Sequence, residues 1–250
     1  MSSYTSLPSC ILLKGCWEIE GINAAWYELP TERYQHGVLG DAIEGTKLNT
    51  YAVPTADHIF TNSCGEKSVT LDDDHVFEDT KPRLVDLNGD GKLEVIVVRS
   101  HHDRGAQLAI YADHPDERNL VLVAATPYIG TRNRWLAPIG AADLDGDGFI
   151  EIAYIDRPHL AKTLRVWRYK DGDFSEIAAA SGLSNHRIGE DFISGGIRDC
   201  GQGPEMITAS ANWTRVMATR LENGSLRAQD IGPLAGRDSF TQALACQAVR

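Results

Sequence analysis

The sequence predicts an all-β chain: a small β-propeller of four four-stranded blades, its ring closed by a C-terminal strand. Three observations carry that expectation. A succession of apolar strand, polar turn and second strand occurs twice, its two copies 57 residues apart when measured from Asp86 to Asp143. Short runs rich in Val, Ile, Tyr and Trp alternate with Gly, Asp and Asn turns, the sequence form of a propeller blade. Helical periodicity is nearly absent.

The elements follow in order. Residues 1–21 read as an N-terminal extension. Four units then run over about 22–79, 80–134, 135–189 and 190–238, and the leftover run SFTQALACQA at 239–248 is the expected closing strand, which would remove an exposed sheet edge. Irregular first and last units keep five blades open as an alternative. In the second unit the strand at 93–98 is followed by QLAIYA at 107–112, and in the third the strand at 150–155 is followed by TLRVWRY at 163–169. Leu108 thus answers Leu164, and Tyr111 answers Trp167. A polar hairpin leads to a fourth run in each, LVLVAATPYI after DHPDERN and FSEIAAA after YKDGD. Weaker copies flank these, EGTKLNTYAV at 44–53 and SGGIRDCGQGPEMITAS at 194–210. The last keeps Asp199 and Glu205 in a loop two residues shorter, without the middle aspartates, so it is expected to keep the turn and lose the metal.

Twenty-four basic and thirty-five acidic side chains give a formal charge of −11. Such a field repels phosphate backbones and anionic lipid heads, which argues against nucleic acid as a partner. Apolar runs such as LVLVAA at 120–125 fall well short of the roughly 18 residues of a membrane helix, so no membrane span is expected. The first 21 residues show no charged n-region, long apolar core or small-residue cleavage site of a secretory signal. Cys10, Cys16, Cys64, Cys200 and Cys246 have no C-x-x-C spacing, which supports neither a zinc knuckle nor a thioredoxin-like motif. A Cys200–Cys246 disulfide and a pair of buried free thiols are both compatible with the sequence.

Two loops share the pattern D-x-[DN]-x-D-G-x-x-E, within LVDLNGDGKLEVIVV at 84–98 and AADLDGDGFIEIAYI at 141–155. Calcium takes six to eight hard oxygen ligands, and alternate residues of a tight loop can turn their carboxylates toward one point. Asp86, Asn88, Asp90 and Glu94 in one loop, and Asp143, Asp145, Asp147 and Glu151 in the other, supply side-chain oxygens; Lys92 and Phe149 supply backbone carbonyls. Gly91 and Gly148 allow the chain to turn past the ion. An EF-hand is excluded, because its twelfth position requires a bidentate glutamate and here holds Val97 or Tyr154, and because apolar strand pattern follows the loop. Two structural Ca2+ ions are expected, the tighter at 143–151, where four carboxylates gather, with dissociation constants on the order of 10⁻⁴–10⁻³ M. The bland alternative is two solvated acidic turns.

The loops and their following strands resemble the FG-GAP or VCBS repeats of integrin α-subunit propellers and of many exported bacterial proteins. That resemblance implies calcium in the hairpin between the first two strands of a blade, on the ten residues just named. Three longer runs, PTERYQHGVLGDAIEG, TPYIGTRNRWLAPIGAADLDGDG and NHRIGEDFISGGIRDCG, make most of 22–250 similar to VCBS-repeat proteins of alphaproteobacteria. The resemblance implies a periplasmic or extracellular place and brings no known activity; the role expected is a non-enzymatic binding or protein-interaction module with a protein or carbohydrate ligand, a step from fold to role made by analogy. Members generally begin with a signal peptide, which residues 1–21 do not show.

No G-x-S-x-G elbow, H-E-x-x-H, Walker A or dinucleotide fingerprint occurs. His101, His102, His159 and His186 fall in turns and loops and read as surface residues. Trp135, Trp167 and Trp213 suit packing between blades better than a carbohydrate face. Arg132, Arg134, His186 and Arg187, in equivalent loops between units, are the candidate ligand residues near one end of the channel; ties between blades are the alternative role for the arginines. Two other functions remain open. A polysaccharide lyase or hydrolase would need an acid/base pair in the channel, and a structural subunit of an envelope complex would show an extended apolar patch.

Overall fold

The computed structural model describes residues 21–52, 65–114, 116–170 and 172–250. Most of the expected N-terminal extension, with Cys10 and Cys16, lies outside the described residues, as does Cys64. The chain is all-β, built of antiparallel sheets with one short helix. Its first unit is a three-stranded meander, β1 (Ala24–Thr31), β2 (Glu44–Tyr51) and β3 (Glu66–Thr70). The short β4 (His75–Phe77) touches β2 at Gly45 and runs beside the second unit, whose strands are β5 (Arg83–Val85), β6 (Glu94–His101), β7 (Gly105–Ala112) and β8 (Val121–Ala125). The first two units therefore share one eight-stranded sheet instead of forming two separate blades.

The third unit is a clean four-stranded meander, β9 (Leu136–Ala142), β10 (Ile150–Asp156), β11 (Thr163–Lys170) and β12 (Asp173–Ser181). The fourth has β13 (Leu183–Ser184), β14 (Gly196–Asp199), β15 (Pro204–Ser210), β16 (Arg215–Glu222) and β17 (Ser225–Pro233). In units two and four two short strands share the edge of the next strand: β4 and β5 on β6, β13 and β14 on β15. A register shift recurs on the third strand of each of the last three units, at Ile110/Tyr111, Val166/Trp167 and Val216/Met217. Such bulges increase the local twist, and their equivalent places mark the units as copies of one another.

Alternation along the central strands explains why they read as continuous apolar runs. On β6, Val95 and Val97 face Leu48 and Phe77 of the first unit, whereas Ile96 and Val98 face Trp135, Leu136 and Ile152 of the third. On β10, Ile152 and Tyr154 join that second cluster, and Ala153 and Ile155 pack against Met206 and Leu221 of the fourth. The central strands β6 and β10 are thus buried on both faces, and a strand so buried has no polar side. The loop between β1 and β2 joins the first unit to the others: Tyr34 is fully buried, its hydroxyl accepts from the Asn133 amide at 3.1 Å, and the Val38 carbonyl accepts from the Gly189 amide at 3.0 Å.

The expected closing strand at 239–248 is corrected. Residues Arg237–Leu244 form α1, and no ring-closing strand occurs there. The run contains Ala, Gln and Leu, good helix formers, and its apolar residues Phe240, Ala243 and Leu244 recur at helical spacing. That stripe covers Ile207, Ala209, Val216 and Ala218, the outer face of the last sheet. A Cys200–Cys246 disulfide, Cα atoms 5.7 Å apart, pins the end of α1 to the β14–β15 loop. Among the described residues no helix is long and apolar enough to cross a membrane.

Candidate metal centre and ligand pocket

The two acidic loops fold alike. In the first, between β5 and β6, Asp86 accepts from the amides of Gly89 (2.8 Å) and Gly91 (3.0 Å), Asn88 Oδ1 from Asp90 (2.9 Å), Asp90 Oδ1 from Lys92 (2.7 Å) and Glu94 Oε2 from Leu87 (2.8 Å). In the second, between β9 and β10, Asp143 accepts from Gly146 (2.7 Å), Asp147 (3.1 Å) and Gly148 (3.0 Å), Asp147 Oδ1 from Phe149 (3.0 Å) and Glu151 Oε2 from Leu144 (2.7 Å). Gly91 and Gly148 have φ of 82° and 88°, the left-handed turn that the sequence requires of glycine there. Side-chain oxygens of Asp143, Asp145 and Glu151 lie within 4.8 Å of one another.

Burial raises the carboxyl pKa of both closing glutamates. At Glu94 the Leu87 amide opposes the shift, and Asp90 and Asp86 reinforce it. At Glu151 the chief opposition comes from a residue that the sequence does not nominate, Arg168 of β11. Its Nε donates to Glu151 Oε1 at 2.6 Å, one terminal nitrogen to Asp145 Oδ2 at 2.6 Å, and the other lies 2.8 Å from Asp147 Oδ2. Burial works against the guanidinium charge, but these carboxylates outweigh it and hold the arginine pKa above its ordinary value. Register puts the group there, since Arg168 is the cross-strand partner of Glu151.

The degenerate third copy keeps its turn, as expected: Asp199 Oδ1 accepts from Gly201 (2.7 Å) and Gly203 (3.1 Å). Its glutamate, Glu205, is clasped by two arginines, Arg198 Nε at 2.9 Å and Arg220 Nε at 2.8 Å.

The candidate ligand residues separate. Arg134 lines a small open pocket with His36, Asn133, Trp135, Arg157 and His159. His186 is buried behind it, sharing a hydrogen bond between its Nδ1 and His159 Nε2 at 3.0 Å and bonded through Nε2 to the Glu190 carbonyl at 2.8 Å. Burial lowers the pKa of both histidines, and that of His159 falls to about 4 with His186 adding to the effect. Arg187 turns elsewhere, its guanidinium 4.3 Å above the Trp213 ring in a second hollow that Phe192, Arg237 and Phe240 also line. Arg132 is exposed and lines neither. Trp135 and Trp167 are core residues; Trp135 Nε1 donates to the Glu78 carbonyl at 2.8 Å, and Trp167 Nε1 to the Tyr154 hydroxyl at 3.1 Å.

Sequence reasoning missed one group outright. His36 Nδ1 meets Glu78 Oε1, and Ser100 Oγ donates to the other oxygen of that fully buried carboxylate. Burial raises the Glu78 pKa, and the bond to His36 opposes the shift. Residues 36, 78 and 100 share no local pattern, so only the tertiary arrangement reveals the trio.

An FG-GAP-like repeat is found at residues 86–154, a span that takes in both acidic loops and the strands between them. No curated protein matches the chain, so the wider likeness over 22–250 finds no support there. Among solved structures, the chain is similar to a candidate 6-phosphogluconolactonase of Bacteroides fragilis, at 16% identity and a TM-score of 0.41, over 79% of this chain and 55% of the other. The chain thus spans about half the length of that structure.

Proposed function

We propose that the chain is a propeller-type binding module, stabilised by calcium, that works in the periplasm or outside the cell without catalysing a reaction. The observation that carries this reading is the FG-GAP-like repeat at 86–154, with its closing glutamate and its loop amides arranged the same way in both copies. The stacked sheets supply the blades of an open propeller, with α1 on the last. The Cys200–Cys246 disulfide supports an oxidising compartment.

The residues of the first loop fit calcium. By donor type Asp86, Asn88, Asp90, Glu94 and the Lys92 carbonyl offer hard oxygens, and no basic side chain pairs with them among the described residues. The ion would neutralise carboxylates that otherwise repel one another and would hold the β5–β6 turn closed. In the second loop Asp145, Asp147 and Glu151 pair with the Arg168 guanidinium, which an ion there would have to displace. The ligand face of this reading is the pocket around Arg134, where a positive group and a histidine suit an acidic protein or carbohydrate ligand. The His36–Glu78 pair beside it favours, as a second reading, a hydrolytic or lyase site with His36 as the base.

Thermal unfolding in millimolar calcium and in EGTA tests the metal. A midpoint raised by calcium in the native chain and not in Asp86→Ala is expected; no shift, with no metal found bound, would remove calcium from the reading. Arg134→Ala at unchanged midpoint with lost binding to acidic oligosaccharides supports the ligand face. A large fall in midpoint assigns the arginine to structure.

A further inference from the structure

We propose that Arg168 is a built-in cation occupying the metal position of the third unit's loop, so that divalent-cation binding is confined to the loop at 86–94. The inference rests on the calcium reading of that first loop and departs from the two-ion expectation at 143–151.

In both loops one oxygen of the closing glutamate and one of the aspartate four residues before it accept from loop amides: Glu94 from Leu87 and Asp90 from Lys92, Glu151 from Leu144 and Asp147 from Phe149. The remaining oxygen of each is left for a cation. At 143–151 those remaining oxygens, Glu151 Oε1 and Asp147 Oδ2, together with Asp145 Oδ2, all lie 2.6–2.8 Å from Arg168. Calcium could reach them only by displacing a guanidinium held through three charge-assisted contacts. At 86–94 no basic side chain meets Glu94 or Asp90 among the described residues, and Asp90 Oδ2 has only the Asn88 amide at 3.3 Å.

One cross-strand position accounts for the difference. Glu151 stands opposite Arg168; the pairing of Val95 with Tyr111 sets Ala112 opposite Glu94, and a methyl group cannot reach the loop. The pairing of Met206 with Thr219 sets Arg220 opposite Glu205 in the fourth unit, where Arg198 adds a second guanidinium and the loop is shortened. The three loops thus form a series: free of arginine, closed by one, closed by two.

Two-dimensional amide NMR of the full chain under calcium titration reads the two loops separately, through Gly89 and Gly91 in the first and Gly146 and Gly148 in the second. In the native chain only the first pair should shift. Arg168→Ala should make the second pair titrate as well. Ala112→Arg should weaken the first site at least tenfold, and it keeps the question decidable if loss of Arg168 prevents folding. Titration of both pairs in the native chain, with equal affinity, overturns the proposal and leaves the calcium reading standing. So does a second loop that stays silent in Arg168→Ala, or an Ala112→Arg variant that binds as the native chain does. If the native chain shows no shift and Arg168→Ala gains one at Gly146 and Gly148, the arginine's role stands and calcium at 86–94 falls.

Discussion

Replacing Phe240 with alanine should uncover the outer face of the last sheet. The ring is 6% exposed and packs with α1 onto Ile207, Ala209, Val216 and Ala218, with the Trp213 ring 6.4 Å away edge-on. Removing a buried phenylalanine costs about 3–5 kcal/mol through lost transfer energy and the cavity left behind. The lower end applies here, because Phe240 borders an open hollow that water can enter. For a domain of this length about 3 kcal/mol corresponds to a fall in midpoint of roughly 6–12 °C. The assay is thermal unfolding followed by circular dichroism under oxidising conditions, so that the disulfide keeps α1 tethered and only packing changes. A Phe240→Ala midpoint within about 2 °C of the native chain would refute the reasoning, since half the smallest expected loss would already be visible on that scale. It would mean that α1 does not cap the sheet.

Three further outcomes follow from particular contacts. Reduction of Cys200–Cys246, whose partners are 46 residues apart in sequence, should lower the midpoint, with about 4 kcal/mol of denatured-state loop entropy as the ceiling; a midpoint that does not move in dithiothreitol, with both thiols titrated, would contradict this. Gly195 has φ of 81°, and a Cβ there would lie 1.9 Å from the Ile207 carbonyl oxygen, so Gly195→Ala should destabilise well beyond Gly201→Ala, whose φ is 87° with nothing within 4 Å. Equal midpoints for the two variants would show that the close approach at Gly195 is not needed. Glu44 is held protonated, its pKa pushed up to about 9 first by burial and then by Glu78, Asp41 and Asp79. Its ordinary value is 4.5, so the folded chain keeps a proton that the unfolded chain loses above that pH. Stability from this group is full below about 4.5 and drains as pH rises toward 9. Glu44→Gln should flatten the fall in midpoint across that range, and an unchanged slope counts against it.

The acidic loops, their glycine turns and the strands that follow were legible in the sequence, because each depends on spacing within about ten residues. Alternating aspartates with a glycine impose the turn whatever surrounds it, and the runs at 93–98 and 150–155 fall within or beside β6 and β10. The last apolar run was not legible in the same way. SFTQALACQA is compatible with strand or helix, and the exposed face of the final sheet, which offers side chains and no ladder partner at that place, selects the helix. Nor could sequence show which side chain lies opposite each closing glutamate. Arg168, Ala112 and Arg220 are ordinary strand residues until pairing register sets them beside a carboxylate, and register belongs to the assembled sheet. The His36–Glu78–Ser100 trio and the separation of Arg187 from Arg134 arise in the same way. Local spacing determined where the carboxylates gather; tertiary pairing decided which of those loops meets a guanidinium, because only the fold brings Arg168 within reach of Asp145, Asp147 and Glu151.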